Sequence, residues 1–193
     1  MVEAWEQKRK EHHRFERQRE LARNGDMSSM YAMGVHHYAI GCDKKYSTEA
    51  RNTAMTLSVS WFQKGAEAKG VKSMACYGRA LATGRGVAKN TTKGLYLLMR
   101  AAYCGSDLAC YFLGMAAAGE GSTDALFLEE DLHDARGFLE MLFRLHEEVE
   151  PDREHPVPSR HRHLNPDLLE KARRTLDKLP PFKPAPRSEA STA

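Results

Sequence analysis

Apolar positions along this chain recur mostly at helical spacing. Leu95, Leu98, Met99 and Ala102 fall at i, i+3, i+4 and i+7, one stripe of a helix. Phe138, Leu139, Met141, Leu142 and Leu145 make a broader stripe. A third one, Leu168, Leu169, Ala172, Leu176 and Leu179, follows Asn165-Pro166-Asp167, where an Asn N-cap and a Pro at the first helical position predict a helix start. Residues Glu3–Arg23 differ. Their charges alternate densely around Trp5, Phe15 and Leu21, and Glu6/Lys10 is a favourable i,i+4 pair, so this stretch predicts a solvated helix. Three prolines in Pro151–Asn165 predict a linker, and four in Pro180–Ala193 predict a disordered tail.

Between these flanks the pattern repeats. Ser29-Met-Tyr-Ala-Met-Gly34, Ser73-Met-Ala-Cys-Tyr-Gly78 and Ala109-Cys-Tyr-Phe-Leu-Gly114 each place a small residue, a large apolar residue four positions on, and then glycine. A second signature follows, Ser58-Val-Ser-Trp61 through Gly65-Ala66 and Gly94-Leu-Tyr-Leu97 through Ala101-Ala102. Gly78 to Gly114, Trp61 to Leu97 and Ala66 to Ala102 are all 36 residues, whereas Gly34 to Gly78 is 44. The eight extra residues lie between Gly34 and Trp61, and the expected place for them is the loop around Cys42–Thr53. In the third unit Ala135 and Phe138 fit the second signature, but Leu142 and Phe143 replace its small pair. Bulk there predicts a solenoid end with no following repeat. Gly84-Arg85-Gly86 predicts a left-handed helix cap. Glycines at 34, 78 and 114 cost about 1 kcal/mol each in helix propensity. Close approach of a second helix would explain that cost, with Ala101-Ala102 expected to face them.

Ser73–Gly105 resembles a Sel1-like repeat, which reads A-x-x-x-L-G-x-x-Y-x-x-G-x-G-V and then D-x-x-K-A-x-x-W-x-x-x-A-A-x-x-G. Gly78, Gly84, Gly86, Val87, Lys93, Ala101, Ala102 and Gly105 match it. Leu81, Asn90, Gly94 and Leu97 depart from its Tyr, Asp, Ala and Trp. The first repeat matches through Gly34, Gly41, Trp61, Ala66 and Gly70, and the resemblance spans about Gly25–Leu145. The G-x-G-V motif and the 36-residue period favour it over the tetratricopeptide repeat and its 34-residue period. The expected fold is all-α, an α/α solenoid of about three helix-pair repeats with an extra N-terminal helix and a short C-terminal helix. The expected divisions are residues 1–24, a charged helix; 25–149, the solenoid; 150–165, the linker; 166–179, the last helix; and 180–193, the tail.

Composition narrows the chemistry. Apolar residues make up 41% of the 193, enough for a core, and the net charge is only +3, too mild to imply nucleic acid. No apolar run reaches the roughly 18 residues of a membrane span. The N-terminus has no apolar h-region, so an intracellular, cytoplasmic or mitochondrial, place is expected. Cys42, Cys76, Cys104 and Cys110 form no C-x-x-C pair, which argues against a zinc knuckle. His155, His161 and His163 lie in the proline-flanked linker with nothing to fix a metal's geometry, so no metal or other cofactor is expected. Gly65-Ala-Glu-Ala-Lys-Gly70-Val-Lys72-Ser73 nearly spells a phosphate loop, but it lies between helices with no strand before it. No nucleophile elbow or carboxylate pair stands out, and a non-enzymatic chain is expected.

The resemblance implies a protein-binding scaffold or adaptor, an accessory subunit or assembly factor of a larger complex. Contact residues are expected on the inner helices at Tyr31, His36, Arg79, Thr83 and Met115, and on the N-terminal arm at Lys8, Arg9, Arg14 and Arg17. Two alternatives stand beside it. One is a redox-linked assembly factor, because some relatives carry disulfides across helix pairs; Cys104 and Cys110 are the candidate pair here, although closer in sequence than those relatives' spacing. The other is RNA binding through the basic arm, which its interleaved glutamates weaken.

Overall fold

The computed structural model describes residues 2–119, 132–147 and 166–179. Among them lie eight α-helices: α1 (Val2–Arg23), α2 (Met27–Cys42), α3 (Thr48–Glu67), α4 (Val71–Thr83), α5 (Thr91–Tyr103), α6 (Asp107–Ala117), α7 (Leu132–Glu147) and α8 (Pro166–Lys178). They pack as neighbours, α2 with α3, α4 with α5 and α6 with α7, while α4 also touches both α2 and α6. The result is an all-α solenoid of three helix pairs, with α2, α4 and α6 as its inner row. The linker and tail segments, the linker histidines and the N-cap Asn165 lie outside the described residues.

The repeat is written most sharply in its corners. After α1, α3 and α5 a residue with positive φ follows: Gly25 at 96°, Lys69 at 65° and Gly105 at 79°. Each corner carries the same two backbone bonds. Gly25 N, Lys69 N and Gly105 N donate to Ala22, Ala66 and Ala102 O, and Asp26, Gly70 and Ser106 N donate to Leu21, Gly65 and Ala101 O. This is the Schellman arrangement, which satisfies carbonyls that a helix end orphans. The three corners are spaced by 44 and then 36 residues, the spacing of Gly34, Gly78 and Gly114. Each corner's last residue starts the next inner helix. Asp26 and Ser106 accept from Ser29 N and Ala109 N, while Gly70 offers no side-chain cap. Because α1 ends in the same corner as α3 and α5, it occupies the outer position of a preceding half-repeat. It docks on α2 through Phe15 and Ala22, in a cluster with Met30 and Met33 that Trp61 of α3 also joins.

The alanine pair therefore has another role than facing Gly78. Ala101 and Ala102 are buried and supply the corner carbonyls between α5 and α6. The close approach within each pair is made by a small residue earlier on the outer helix. A Cβ placed on Gly78 would lie 2.9 Å from Gly94 O and 3.1 Å from Leu97 Cβ. One on Gly34 would run into the Phe62 ring, and one on Gly114 into Leu139. Ser58, the counterpart of Gly94, is buried and donates its hydroxyl to Gly34 O at 2.8 Å.

One further expectation is corrected. The eight extra residues do not form a loop: α2 has 16 residues against 13 in α4, and α3 has 20 against 13 in α5. The connection between α2 and α3 is short. Ser47 caps α3 and Glu49 sits in its first turn, so the segment after it is a competent helix start. As expected of a solenoid end, no further helix pair follows the third among the described residues, and the single helix α8 covers it. Leu142 is fully buried, and α8 packs on α6 and α7 through Ala172, Thr175 and Leu179. The Arg136 guanidinium of α7 donates to the carbonyls of Leu176 and Leu179, where the last turn of α8 presents them. Arg173 stacks on Phe143 at 4.2 Å.

Candidate functional site

The longer α2 and α3 enclose a groove. Its cavity of about 180 Å³ lies between the first two pairs and opens along the inner helices. Tyr31, Val35 and Tyr38 of α2 line one side, and Cys76, Arg79 and Thr83 of α4 the other. Met55, Val59 and Phe62 of α3 provide an apolar floor, each under a tenth exposed. Leu108 and Phe112 of α6 reach in from the third pair. The extra helical turns contribute directly: Met55 packs on the Gly86 backbone, and Tyr38 and Cys42 meet Arg85 from the α4–α5 turn.

Three cations lie over aromatic faces here. The Arg79 guanidinium is 4.5 Å from the Phe112 ring, Arg85 is 5.1 Å from Tyr38, and the Lys72 ammonium is 5.5 Å from Tyr31. Arg85 also donates to the Tyr38 hydroxyl at 3.0 Å and the Cys42 sulfur at 3.2 Å. The lining contains two arginines and no carboxylate. Asp107, at the start of α6, is the nearby acid. It is buried, and its charge opposes the downward push that burial exerts on Lys72.

Burial sets the protonation of the groove's other groups. It pushes the Tyr31 phenol above its ordinary value, helped by Cys76 and Asp107. It pushes the Cys76 thiol up to about 12, against the pull of Arg79. At neutral pH both groups are therefore protonated, and neither is a ready nucleophile. The groove is an apolar surface edged by the fixed positive charge of Arg79 and Arg85.

Tyr31, Arg79 and Thr83, expected from sequence as contacts, meet in this groove; Thr83 directs its hydroxyl back to the carbonyls of Arg79 and Ala80. His36 points elsewhere and stacks on Phe15 of α1 at 4.5 Å. Met115 is 3% exposed, a core residue rather than a contact, because α7 and α8 both pack on α6. On the arm, Arg9 lies over Trp5 at 5.3 Å and Arg14 and Arg17 are exposed. Lys8 lies within α1. Cys104 and Cys110 are separate free thiols, the first exposed beyond α5 and the second buried in the core of α6. The helix corner between them turns one outward and the other inward.

Sequence reasoning missed Tyr38, Arg85, Phe112 and Lys72 as parts of this groove. Arg85 had a signal, since it lies inside the G-x-G turn at the end of an inner helix. Phe112 had none, because it is 33 residues from Arg79 and belongs to a different repeat.

Comparison with solved structures bears on the architecture. A crystal structure of a Sel1 repeat protein from Oxalobacter formigenes superposes with a TM-score of 0.52 at 25% identity, over 67% of this chain. The chain has a Sel1-like helical repeat fold. It spans about half the length of that structure, 48%. No family model matches the chain, and no curated protein does. In this Sel1-like solenoid no helix among the described residues is long and apolar enough to cross a membrane.

Proposed function

We propose that this chain is a non-enzymatic protein-binding scaffold or adaptor, serving as an accessory subunit or assembly factor of a larger complex. One observation carries the reading: three successive inner helices converge on a groove with an apolar floor and cation-stacked aromatics. Helical repeats of this kind present such surfaces to other chains. Aromatic and arginine side chains at the centre of a patch are the residue types that dominate protein interfaces. The protonated thiol and phenol support binding over covalent chemistry. In this reading the charged helix of residues 1–24 and the segments from 151 onward extend the interface.

The test is affinity purification of the tagged full chain at native abundance, beside Val35→Glu and a chain lacking residues 1–24. Val35 lines the groove and is 42% exposed, so the charge is tolerated by the fold but not by an apolar guest. Co-purifying chains should be lost with Val35→Glu and reduced without the arm. Recovery of the same chains at the same yield from all three proteins would refute the reading.

A further inference from the structure

Arg79 is half-buried and lines the groove, yet no hydrogen bond or ion pair joins its guanidinium to any described residue. Its guanidinium rests on the Phe112 ring, a contact that engages its face and leaves its edge donors unused. A half-removed charge without an anion is unfavourable, and a carboxylate is the partner its planar fork fits. Arg85 adds a second guanidinium to the same lining, and Lys72 a third cation beside Tyr31. Asp107 is the opposing acid, and it is buried at the start of α6 rather than part of the lining. Asp107 acts on Lys72, so the lining's arginines are left without a carboxylate of their own above the apolar floor of Met55, Val59 and Phe62.

We propose that the groove takes an acidic linear peptide segment of a partner protein, with one aromatic or aliphatic anchor on the α3 floor and an adjacent Asp or Glu paired with Arg79. This rests on the protein-binding reading above and names the chemistry of the guest. A cavity of about 180 Å³ suits a single large side chain rather than a folded domain. Two arginines around an apolar floor suit a short acidic flank rather than the extended phosphate track that a nucleic acid requires.

The probe is a set of fluorescein-labelled 12-residue peptides, each with one central Phe or Leu. The anchor is flanked by Asp/Glu, by the uncharged isosteres Asn/Gln, or by Lys/Arg. Binding to the full chain is read by fluorescence anisotropy at 50 and 150 mM salt. The acidic peptides should bind at least about tenfold more tightly than their amide counterparts, the scale of a charge-assisted hydrogen bond, and more weakly at the higher salt. Arg79→Gln should remove that preference and Arg79→Lys restore part of it. Comparing acid with amide on the wild-type chain needs no variant, so a failure of Arg79→Gln to fold leaves the test intact. Equal binding of acidic and amide peptides, abolished by Val35→Glu, would overturn the acidic assignment while upholding the groove as a binding surface. Displacement of the acidic peptide by a 12-nucleotide single-stranded RNA at 150 mM salt would overturn it in favour of nucleic acid. Absence of binding by every peptide would overturn both this proposal and the groove's role in the reading it rests on.

Discussion

The same substitution, glycine to alanine inside a helix, should have opposite signs at Gly94 and Gly137. Alanine is the better helix former by about 0.5–1 kcal/mol, so propensity alone predicts stabilisation at both sites. At Gly137 a new Cβ meets nothing within 4 Å and the residue is exposed on α7, so the propensity gain is realised in full. At Gly94 the Cβ would lie 2.6 Å from Ala82 N, 2.7 Å from Ala82 Cβ and 2.7 Å from Gly78 O. Two of these are backbone atoms, which no rotamer change can move aside. Ordinary contact begins near 3.4 Å, so α5 must back away from α4 by about 0.8 Å. A gap of that size forfeits roughly a quarter to a half of each dispersion contact it opens. Overpacking of this kind costs about 1–3 kcal/mol. Two backbone contacts under 3 Å place Gly94 in the upper part of that range, about 2–3 kcal/mol, so net of the propensity gain Gly94→Ala should lose about 1–2.5 kcal/mol and melt roughly 2–10 °C lower, while Gly137→Ala melts roughly 1–4 °C higher. Thermal and urea melts followed by far-UV circular dichroism read both. A Gly94→Ala chain as stable as the wild type would show that the helices of a pair are not in backbone contact, and the account of the repeat glycines would fail.

Other expectations follow from the corners, the thiols and the last helix. Lys69 holds the left-handed corner position that glycine fills at 25 and 105, so Lys69→Gly should add about 0.5–1 kcal/mol, and a loss in the same melts would contradict the assigned corner. With a chromogenic thiol reagent at pH 8, Cys42 and Cys104 should react at once and Cys110 only on unfolding; fast labelling of Cys110 would refute its burial. Burial raises Cys110 from 9.0 to about 12, so the folded chain keeps a proton that the unfolded chain releases. The stability this contributes is present below about pH 9 and lost as pH rises from about 9 to about 12, by up to about 1.4 kcal/mol per pH unit. Melts at stepped alkaline pH should therefore show a shallower decline in Cys110→Ala, and parallel declines would refute the linkage. Arg136→Ala removes the donor to the last carbonyls of α8 and should cost about 1–3 kcal/mol, with faster hydrogen exchange across 166–179; unchanged exchange there would show that α8 is held by its apolar face alone.

The sequence by itself determined the repeat, its phase and its helical character. Those properties are local: a left-handed corner wants glycine, a helix start wants Asp or Ser, and a tight pair wants a residue without bulk on each side. Gly34, Gly78 and Gly114 announce this at intervals of 44 and 36 residues, the same intervals that separate the corners. Only the tertiary structure decided where the eight extra residues went, because an insertion can lengthen a loop or two helices with the same alignment. It likewise decided which faces of the repeat stay open. Val35, Arg79 and Met115 follow the three repeat glycines and so are equivalent in sequence, yet Val35 is exposed, Arg79 half-buried and Met115 in the core. What separates them is the neighbours each inner helix acquires, α1 and α3 for α2, α7 and α8 for α6, and those contacts come from far along the chain. The repeat already pointed to Tyr31, Arg79 and Thr83, but the pairings of the candidate site are legible only at that level. The site pairs Arg79 with Phe112, and Arg85 with Tyr38 and Cys42, residues from different repeats that no periodicity links.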